Sequence, residues 1–466
     1  MEGFYRIAKE YPERIAYQVG EEKISFGELC CQSEYYAELL RKQGEKPVIL
    51  YGHKEIYMVI GILACLKARR VYVPIEKDIP LYRIDRMIQQ TEASLIISEK
   101  KLAIEGIDCC SLKELERYQS SQTKDCQSDI AYIMFTSGST GQPKGVPIGR
   151  QNLSRFIEWI RNLFPLSEYD SVKVLNQANF SFDLSVADIF YSLCNGHHLM
   201  AFSGNWLENP SVIFAQMKEI EVAVLTPGFA RLCLLNQDWN CRNFPFLRCI
   251  YFCGEKLDKN LVARLWRAFP HLKILNAYGP TEATSAVSAI LVEPEMLLEE
   301  ELPVGEVAAS ACEISLREGE ILLKGESVFS GYLQANSPSC FVEDGRNCYL
   351  TGDYGYIRNG KLYISGRKDN QIKWKGYRIE LEDIEKNLLN IEGVKEAVVV
   401  AKRAEDESIK MLKAFVVKEE GTSPEDVKAE LAKRIPQYMM PKIFRFLERL
   451  PLTANGKIDR KELERL

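Results

Sequence analysis

Residues Thr136 to Gly145 read TSGSTGQPKG. They follow Ile130-Ala131-Tyr132-Ile133-Met134-Phe135, an apolar run that predicts a buried strand. Hydroxyls at Thr136, Ser137, Ser139 and Thr140 then arrive together with glycines and a single cation, Lys144. That is the make-up of a loop that wraps phosphates. Glycine lets backbone N–H groups approach an anion, hydroxyls donate to it, and lysine adds charge. It is not a Walker A loop, which needs Gly-Lys-Ser/Thr after four spacer residues. A flexible Ser/Gly surface loop has the same composition, so the rest of the chain must decide.

Outward from this loop the pattern alternates. Helices are expected over Phe26–Leu40, Tyr57–Ala68, Leu81–Gln90 and Leu184–Leu193, and strands over 47–51, 71–74, 93–98, 171–175, 222–225, 248–252 and 273–277. This alternation predicts α/β layers with parallel strands. From Leu302 to Ile364 the texture changes to short strands with Gly turns: 320–324, 331–333 and 361–364. A small antiparallel or barrel-like β layer fits it. A polar stretch at 366–370 (GRKDN) marks a boundary, followed by a compact α+β unit with strands at 395–402 and 411–418. Ser423-Pro424-Glu425-Asp426 reads as an N-cap, a Pro at the first helical position and an acid at the third, opening a helix to Ile435.

The 466 residues exceed one core and imply two or three domains. A net charge of −5 leaves no electrostatic footprint for nucleic acid or an anionic membrane. The N-terminus mixes charges throughout and has no apolar signal core. The longest apolar run, about ten residues, is too short to span a bilayer. Fourteen cysteines, some adjacent and none in CxxC pairs, read as reduced thiols in a cytoplasmic protein rather than a disulfide or zinc framework.

Three further segments carry chemistry. In Asn276-Ala-Tyr-Gly-Pro-Thr-Glu282, Tyr278 offers a flat face for a base, Thr281 a phosphate donor and Glu282 a hard oxygen for Mg²⁺; the Gly-Pro pair could also be only a turn. Asp353, after Thr351-Gly352, could accept the hydroxyls of a ribose, or close an ordinary turn. Lys457 sits in the turn Asn455-Gly456-Lys457 and, taken alone, reads as solvated.

In this order these segments resemble the AMP-forming adenylate superfamily of acyl-CoA synthetases, luciferases and nonribosomal peptide synthetase adenylation domains. The resemblance covers nearly the whole chain, through ISFGEL at Ile24, LKARRVYVPIE at Leu66, FDLS at Phe182, NAYGPTE at Asn276, YLTGD at Tyr349, GRKDNQIKWKGYRIELEDIE at Gly366 and NGKIDR at Asn455. It is nearest to D-alanine–carrier protein ligases and stand-alone amino-acid adenylation domains. It implies a large N-terminal domain of α/β layers with a small β subdomain, residues 1–367. A small, mobile α+β domain, 368–466, carries the catalytic lysine.

The resemblance also implies the site. Thr136, Ser137, Ser139, Thr140 and Lys144 would hold the β- and γ-phosphates of ATP. Asn276, Tyr278, Gly254 and Glu255 would frame adenine, and Asp353 and Arg367 the ribose. Thr281 and Glu282 would serve catalysis, Glu282 through Mg²⁺, and Lys457 would bridge the substrate carboxylate and the α-phosphate. Asp183 would pair with the α-ammonium of an amino acid, although it also stands where a helix N-cap would. Leu184, Ala187, Val224, Tyr251, Cys253, Ala277 and Ser285 would line the side-chain pocket. Asp369 would be the hinge between adenylation and thiolation. No phosphopantetheine attachment segment follows Arg460, so a phosphopantetheinylated carrier protein is expected in trans.

Some residues depart from the pattern. Ala187 replaces a methionine and Ser285 a valine of the D-alanine ligases, which enlarges or polarises the pocket. Arg69 and Arg70 replace glycines, which reads as a surface change. Two other readings stay open: a CoA ligase for a non-amino acid, and a non-catalytic sensor on the same fold.

Overall fold

A computed structural model describes residues 1–117, 127–166, 170–202, 210–374, 376–404, 409–453 and 458–466. Lys457, with Asn455 and Gly456, lies outside the described residues, as does Lys375. The chain divides into two compact units. The first comprises Met1–Lys77, Thr91–Met134 and Val146–Lys368, and the second Asp78–Gln90, Phe135–Gly145 and Asp369–Leu466.

The first unit is built on an eight-stranded sheet. In spatial order its strands are Ser288–Leu291, Lys273–Tyr278, Cys249–Phe252, Val222–Leu225, Lys173–Asn176, His198–Ala201, Ile15–Val19 and Glu22–Ser25. The six inner strands run parallel and the two edges antiparallel. Strand Lys173–Asn176 is followed in sequence by a neighbour on one side, His198–Ala201, and then by one on the other, Val222–Leu225. The strand order reverses there, which in open α/β sheets opens a crevice at the carboxyl ends.

Alternation along the strands separates two cores. Cys249 and Tyr251 join the cluster on one face, and Ile250 and Phe252 the cluster on the other. Helices Pro210–Met217, Pro227–Cys233 and Lys259–Ala268 supply the second cluster. On the first face pack helices Phe26–Arg41, Ile56–Lys67, Arg150–Arg161 and Leu184–Asn195. A six-stranded sheet joins them, in the order Asp108–Cys110, Leu95–Ile97, Val48–Gly52, Tyr72–Glu76, Ile130–Thr136, Lys144–Gly149. Ile56–Lys67 is buried at every position from Tyr57 to Leu66, so it is a core helix and needs no membrane to explain it. Among the described residues no helix is long and apolar enough to cross a membrane.

The third sheet is the expected small β subdomain: an open, antiparallel, six-stranded layer. It contains Glu320–Lys324 and Lys361–Arg367 on either side of the long strand Arg346–Arg358. The strand expected at 331–333 does not form. Gly331 takes φ +130°, and Tyr332 makes only an isolated bridge to Ala335.

The reading of Arg69 and Arg70 as surface substitutions holds only for the first. Arg69 occupies a left-handed position at φ +56°, the conformation a glycine would adopt without strain. Arg70 is fully buried, and its guanidinium donates to the carbonyls of Lys46 and Leu40.

In the second unit a sheet of Val394–Arg403, Ile409–Lys418 and Ile443–Phe446 packs under helices Leu381–Leu389 and Pro424–Ala432. Ser423 caps the latter by accepting from the Asp426 N–H, as its sequence predicts, but the helix ends at Ala432 rather than Ile435. Arg83 carries the segment Asp78–Gln90 into this unit through a buried ion pair with Asp383 at 2.6 Å and a bond to the Arg434 carbonyl. The adjacent cysteines Cys30–Cys31 and Cys109–Cys110 are free thiols.

Candidate active site

In the first unit the carboxyl ends of the parallel strands gather the expected residues. Cys253, Gly254 and Glu255 follow strand Cys249–Phe252; Thr226 follows Val222–Leu225; and Gly279 to Glu282 follow Lys273–Tyr278. The segment from Gln177 to Asp183 leaves the switch-point strand and enters helix Leu184–Asn195.

Tyr278 and Asp353 belong to different sheets but meet. The Tyr278 hydroxyl donates to Asp353 Oδ2 at 2.8 Å, and Arg367 donates to Asp353 Oδ1 at 2.5 Å. Asp353 is 5% exposed, so the arginine compensates a charge largely removed from water. Burial, reinforced by that carboxylate, pushes the Tyr278 phenol well above its ordinary range and keeps it a neutral donor. The geometry offers a fixed aromatic face next to an oriented carboxylate, a set suited to a nucleoside.

Glu282 is fully buried and its Oε1 accepts from the Tyr332 hydroxyl at 2.6 Å. Tyr332 in turn lies 3.2 Å from the Tyr349 hydroxyl, and Phe329 packs edge-on against both rings. Tyr332 had been assigned to a strand by sequence reasoning. Its position beside a left-handed Gly331 is the only local sign that the chain turns there.

Two of the residues expected at adenine also tie the strand ends to their neighbours. Glu255 Oε2 accepts from the Gly228 N–H at 2.8 Å, tying the loop after one strand to the start of helix Pro227–Cys233. Asn276 turns its amide to the Pro303 carbonyl at 2.7 Å. Thr281 is buried in the short 3₁₀ turn Thr281–Ala283.

The residues expected to line the side-chain pocket are buried: Asp183, Leu184, Ala187, Cys253, Ala277 and Ser285. Asp183 occupies the N-cap position of its helix but makes no side-chain capping bond, so helix capping does not account for it. Ala187 lies one turn further along the same face. Cys253 Sγ is 4.0 Å from the Ser285 carbonyl. Thr284 and Ser285 both take left-handed backbone, φ +63° and +72°, held by the Thr284 hydroxyl on the Ser327 carbonyl. Strain of this kind persists only where the surroundings over-determine it.

Sequence reasoning missed Lys54. Its buried ammonium donates to the carbonyls of Asn176 at 3.1 Å and Gln177 at 2.8 Å, at the root of the segment that ends in Asp183. Asn176 Nδ2 donates to Asp188 Oδ2 at 2.9 Å, and Asp188 is fully buried. Burial pulls Lys54 down to about 8, and burial pushes Asp188 well above the carboxylate range; each charge opposes the other's shift.

The second unit holds the Gly/Ser loop. Gly141 N–H donates to the Gly138 carbonyl at 2.9 Å, closing a tight turn, and a Cβ on Gly138 would meet the Gln142 carbonyl at 2.4 Å. Ser139 and Thr140 are exposed at the tip, whereas Thr136 and Lys144 are half-buried. Ser137 is engaged: its hydroxyl donates to the Arg378 carbonyl and accepts from the Glu380 N–H, both at 2.8 Å. Those residues belong to the hairpin of Gln371–Trp374 and Tyr377–Glu380. Asn387 adds a bond to the Gly141 carbonyl at 3.0 Å. Asp369 opens the last segment of this unit, and its carboxylate accepts from the Gln371 N–H at 3.2 Å. The helix after Lys457 is pinned where Arg460 meets Glu385 and the Val399 carbonyl.

Comparison with family models matches residues 4–333 to "AMP-binding enzyme" and 383–457 to "AMP-binding enzyme C-terminal domain". The chain belongs to the AMP-binding enzyme family. A D-alanine–D-alanyl carrier protein ligase of Bacillus licheniformis is 36% identical, covering 100% of this chain and 98% of that protein. The ligase of the same name from Staphylococcus epidermidis is 36% identical over 98% and 97%. Among solved structures, a Vibrio cholerae adenylation domain in complex with glycyl-adenosine-5'-phosphate shares the fold at TM-score 0.84 and 23% identity, covering 100% of this chain and 96% of that one. A nonribosomal peptide synthetase protein containing adenylation and PCP domains matches at TM-score 0.83 and 25% identity, covering 100% and 83%.

Proposed function

We propose that this enzyme activates an amino acid with ATP as aminoacyl-AMP and passes the aminoacyl group to the phosphopantetheine thiol of a separate carrier protein, in the cytoplasm. The observation that carries the reading is Asp183, a carboxylate 8% exposed at the start of helix Leu184–Asn195, after a parallel strand of the eight-stranded sheet. A buried carboxylate suits an ammonium and penalises a plain fatty acid, which brings no charge to answer it. The names of the full-length relatives support the same substrate class.

In the first step an oxygen of the substrate carboxylate attacks the α-phosphorus, and pyrophosphate leaves. Two anions approach, so catalysis is mainly placement of positive charge and orientation. Lys457 is the group we assign between the carboxylate and the α-phosphate. Thr136, Ser137, Ser139, Thr140 and Lys144 hold the leaving phosphates; Tyr278, Asp353 and Arg367 hold the nucleoside. Thr281 would donate to a phosphate and Glu282 would hold Mg²⁺, which supplies charge neutralisation to the phosphates when bound. The donor set fits: Mg²⁺ typically takes one or two carboxylates plus substrate phosphates, and Glu282 is one carboxylate with an oxygen oriented by Tyr332. In the second step the thiol sulfur attacks the acyl carbon and AMP leaves. We assign the change between steps to rotation of residues 368–466 about Asp369, since a lysine seated between the anions obstructs the thiol's approach.

The test is ATP–pyrophosphate exchange against a panel of D- and L-amino acids. Exchange with at least one amino acid is expected. Exchange only with simple carboxylic acids would replace this reading with a CoA ligase.

A further inference from the structure

The face of the eight-stranded sheet that shares its core with helix Leu184–Asn195 is apolar, yet buried hydroxyls there have no partner among the described residues. Tyr251 is fully buried on the strand before Cys253, and its hydroxyl has no hydrogen-bond partner. Tyr132, fully buried on the facing sheet, is in the same state. Ser285 is 3% exposed, and its Oγ is likewise unpartnered. Buried hydroxyls are normally satisfied, so such groups call for an explanation.

These hydroxyls are not scattered. Cys253, two residues from Tyr251 on the same face, lies against the Ser285 carbonyl. Burial pushes the phenols of Tyr132 and Tyr251 well above their ordinary range, so both stay neutral donors. Phe164 stacks on Tyr251 at 5.6 Å and holds the ring in place. Leu184, Ala187 and Ala277 supply apolar walls with no donor or acceptor on their side chains. A pocket built for a methyl or an alkyl chain gains nothing from unpartnered hydroxyls and bears their desolvation.

We propose that the amino acid this enzyme activates has a neutral, hydrogen-bonding side chain, a hydroxyl or a carboxamide, received by Ser285 and Tyr251. The inference builds on the amino-acid reading of the site and narrows its substrate class. The side chain would accept from the Tyr251 hydroxyl and exchange a hydrogen bond with Ser285, and Asp183 would take the α-ammonium at the mouth.

The experiment measures kcat/KM in ATP–pyrophosphate exchange for near-isosteric pairs in both enantiomers: serine against 2-aminobutyrate, threonine against valine, asparagine against leucine. In the parent enzyme the polar member of the best pair is expected to lead by roughly 10- to 100-fold, since a site made to hydrogen-bond rejects the analogue that leaves it unpaired. Ser285→Val or Tyr251→Phe should pull that ratio toward one. An alkyl member equal to or better than its polar partner overturns the inference from the parent enzyme alone. A polar preference unchanged in both variants overturns the assignment to Ser285 and Tyr251. Absence of exchange with every amino acid would count instead against the amino-acid reading itself.

Discussion

Replacing Lys54 with methionine tests the part of the site that the sequence does not announce. The side chain keeps its length and apolar stem but loses the ammonium. The carbonyls of Asn176 and Gln177 then lose their donor, at 3.1 and 2.8 Å, and Asp188 loses the buried cation nearest to it in charge. Leaving buried carbonyls without their charged donor costs about 1–3 kcal/mol, and the cation lost is the one that opposes the desolvation of Asp188. The urea midpoint of the first unit, followed by tryptophan fluorescence with Trp159, Trp239 and Trp266 all in that unit, should fall accordingly. Asp188→Asn added to Lys54→Met should recover much of the loss, since it removes the stranded charge; contacting residues are not additive. Because the segment that Lys54 anchors ends at Asp183, KM for the amino acid should rise while KM for ATP holds. A single variant within about 1 kcal/mol of the parent, or a double variant whose losses simply add, would refute the reasoning.

Three other outcomes are expected. Lys457→Ala should slow adenylation by roughly 10²–10³-fold while thiolation from pre-formed aminoacyl-AMP survives; equal losses in both steps would remove Lys457 from its assigned role. Asp369→Pro should spare pyrophosphate exchange and block thioester formation, and a normal thioester yield would rule out Asp369 as the hinge. Burial lifts the Glu380 carboxyl from 4.5 to about 7. Folded protein therefore keeps a proton that the unfolded chain releases: the contribution to stability is full below pH 4.5 and is lost as pH rises through about 7. Glu380→Gln should flatten the parent's stability–pH curve across that window, and parallel curves for the two proteins would contradict it.

The sequence made legible what is local or carried by contiguous motifs. Ser423 caps its helix because cap, proline and acid stand within four residues. Tyr278, Asp353 and Arg367 each stand in a recognisable contiguous motif. What was not legible depends on partners far apart in the chain. Lys54 meets Asn176 across 122 residues, and nothing around it marks a buried cation. Arg70 looked like a surface change because two charges in a row usually are, yet nearby carbonyls satisfy it inside. Tyr332 passed for a strand residue because a Gly-Tyr-Leu triplet has strand composition, and only the third dimension sends it to Glu282.

The Ser137 hydroxyl has a single proton, and here it goes to the Arg378 carbonyl. A phosphate oxygen that accepts from Ser137 must take that proton away from the hairpin. Phosphate at the loop and the present seating of the hairpin are thus rivals, and by linkage each weakens the other to the same degree. Departure of pyrophosphate would return the proton to Arg378 and settle the hairpin strand Tyr377–Glu380. One serine would then couple the leaving of the first product to the seating of that hairpin.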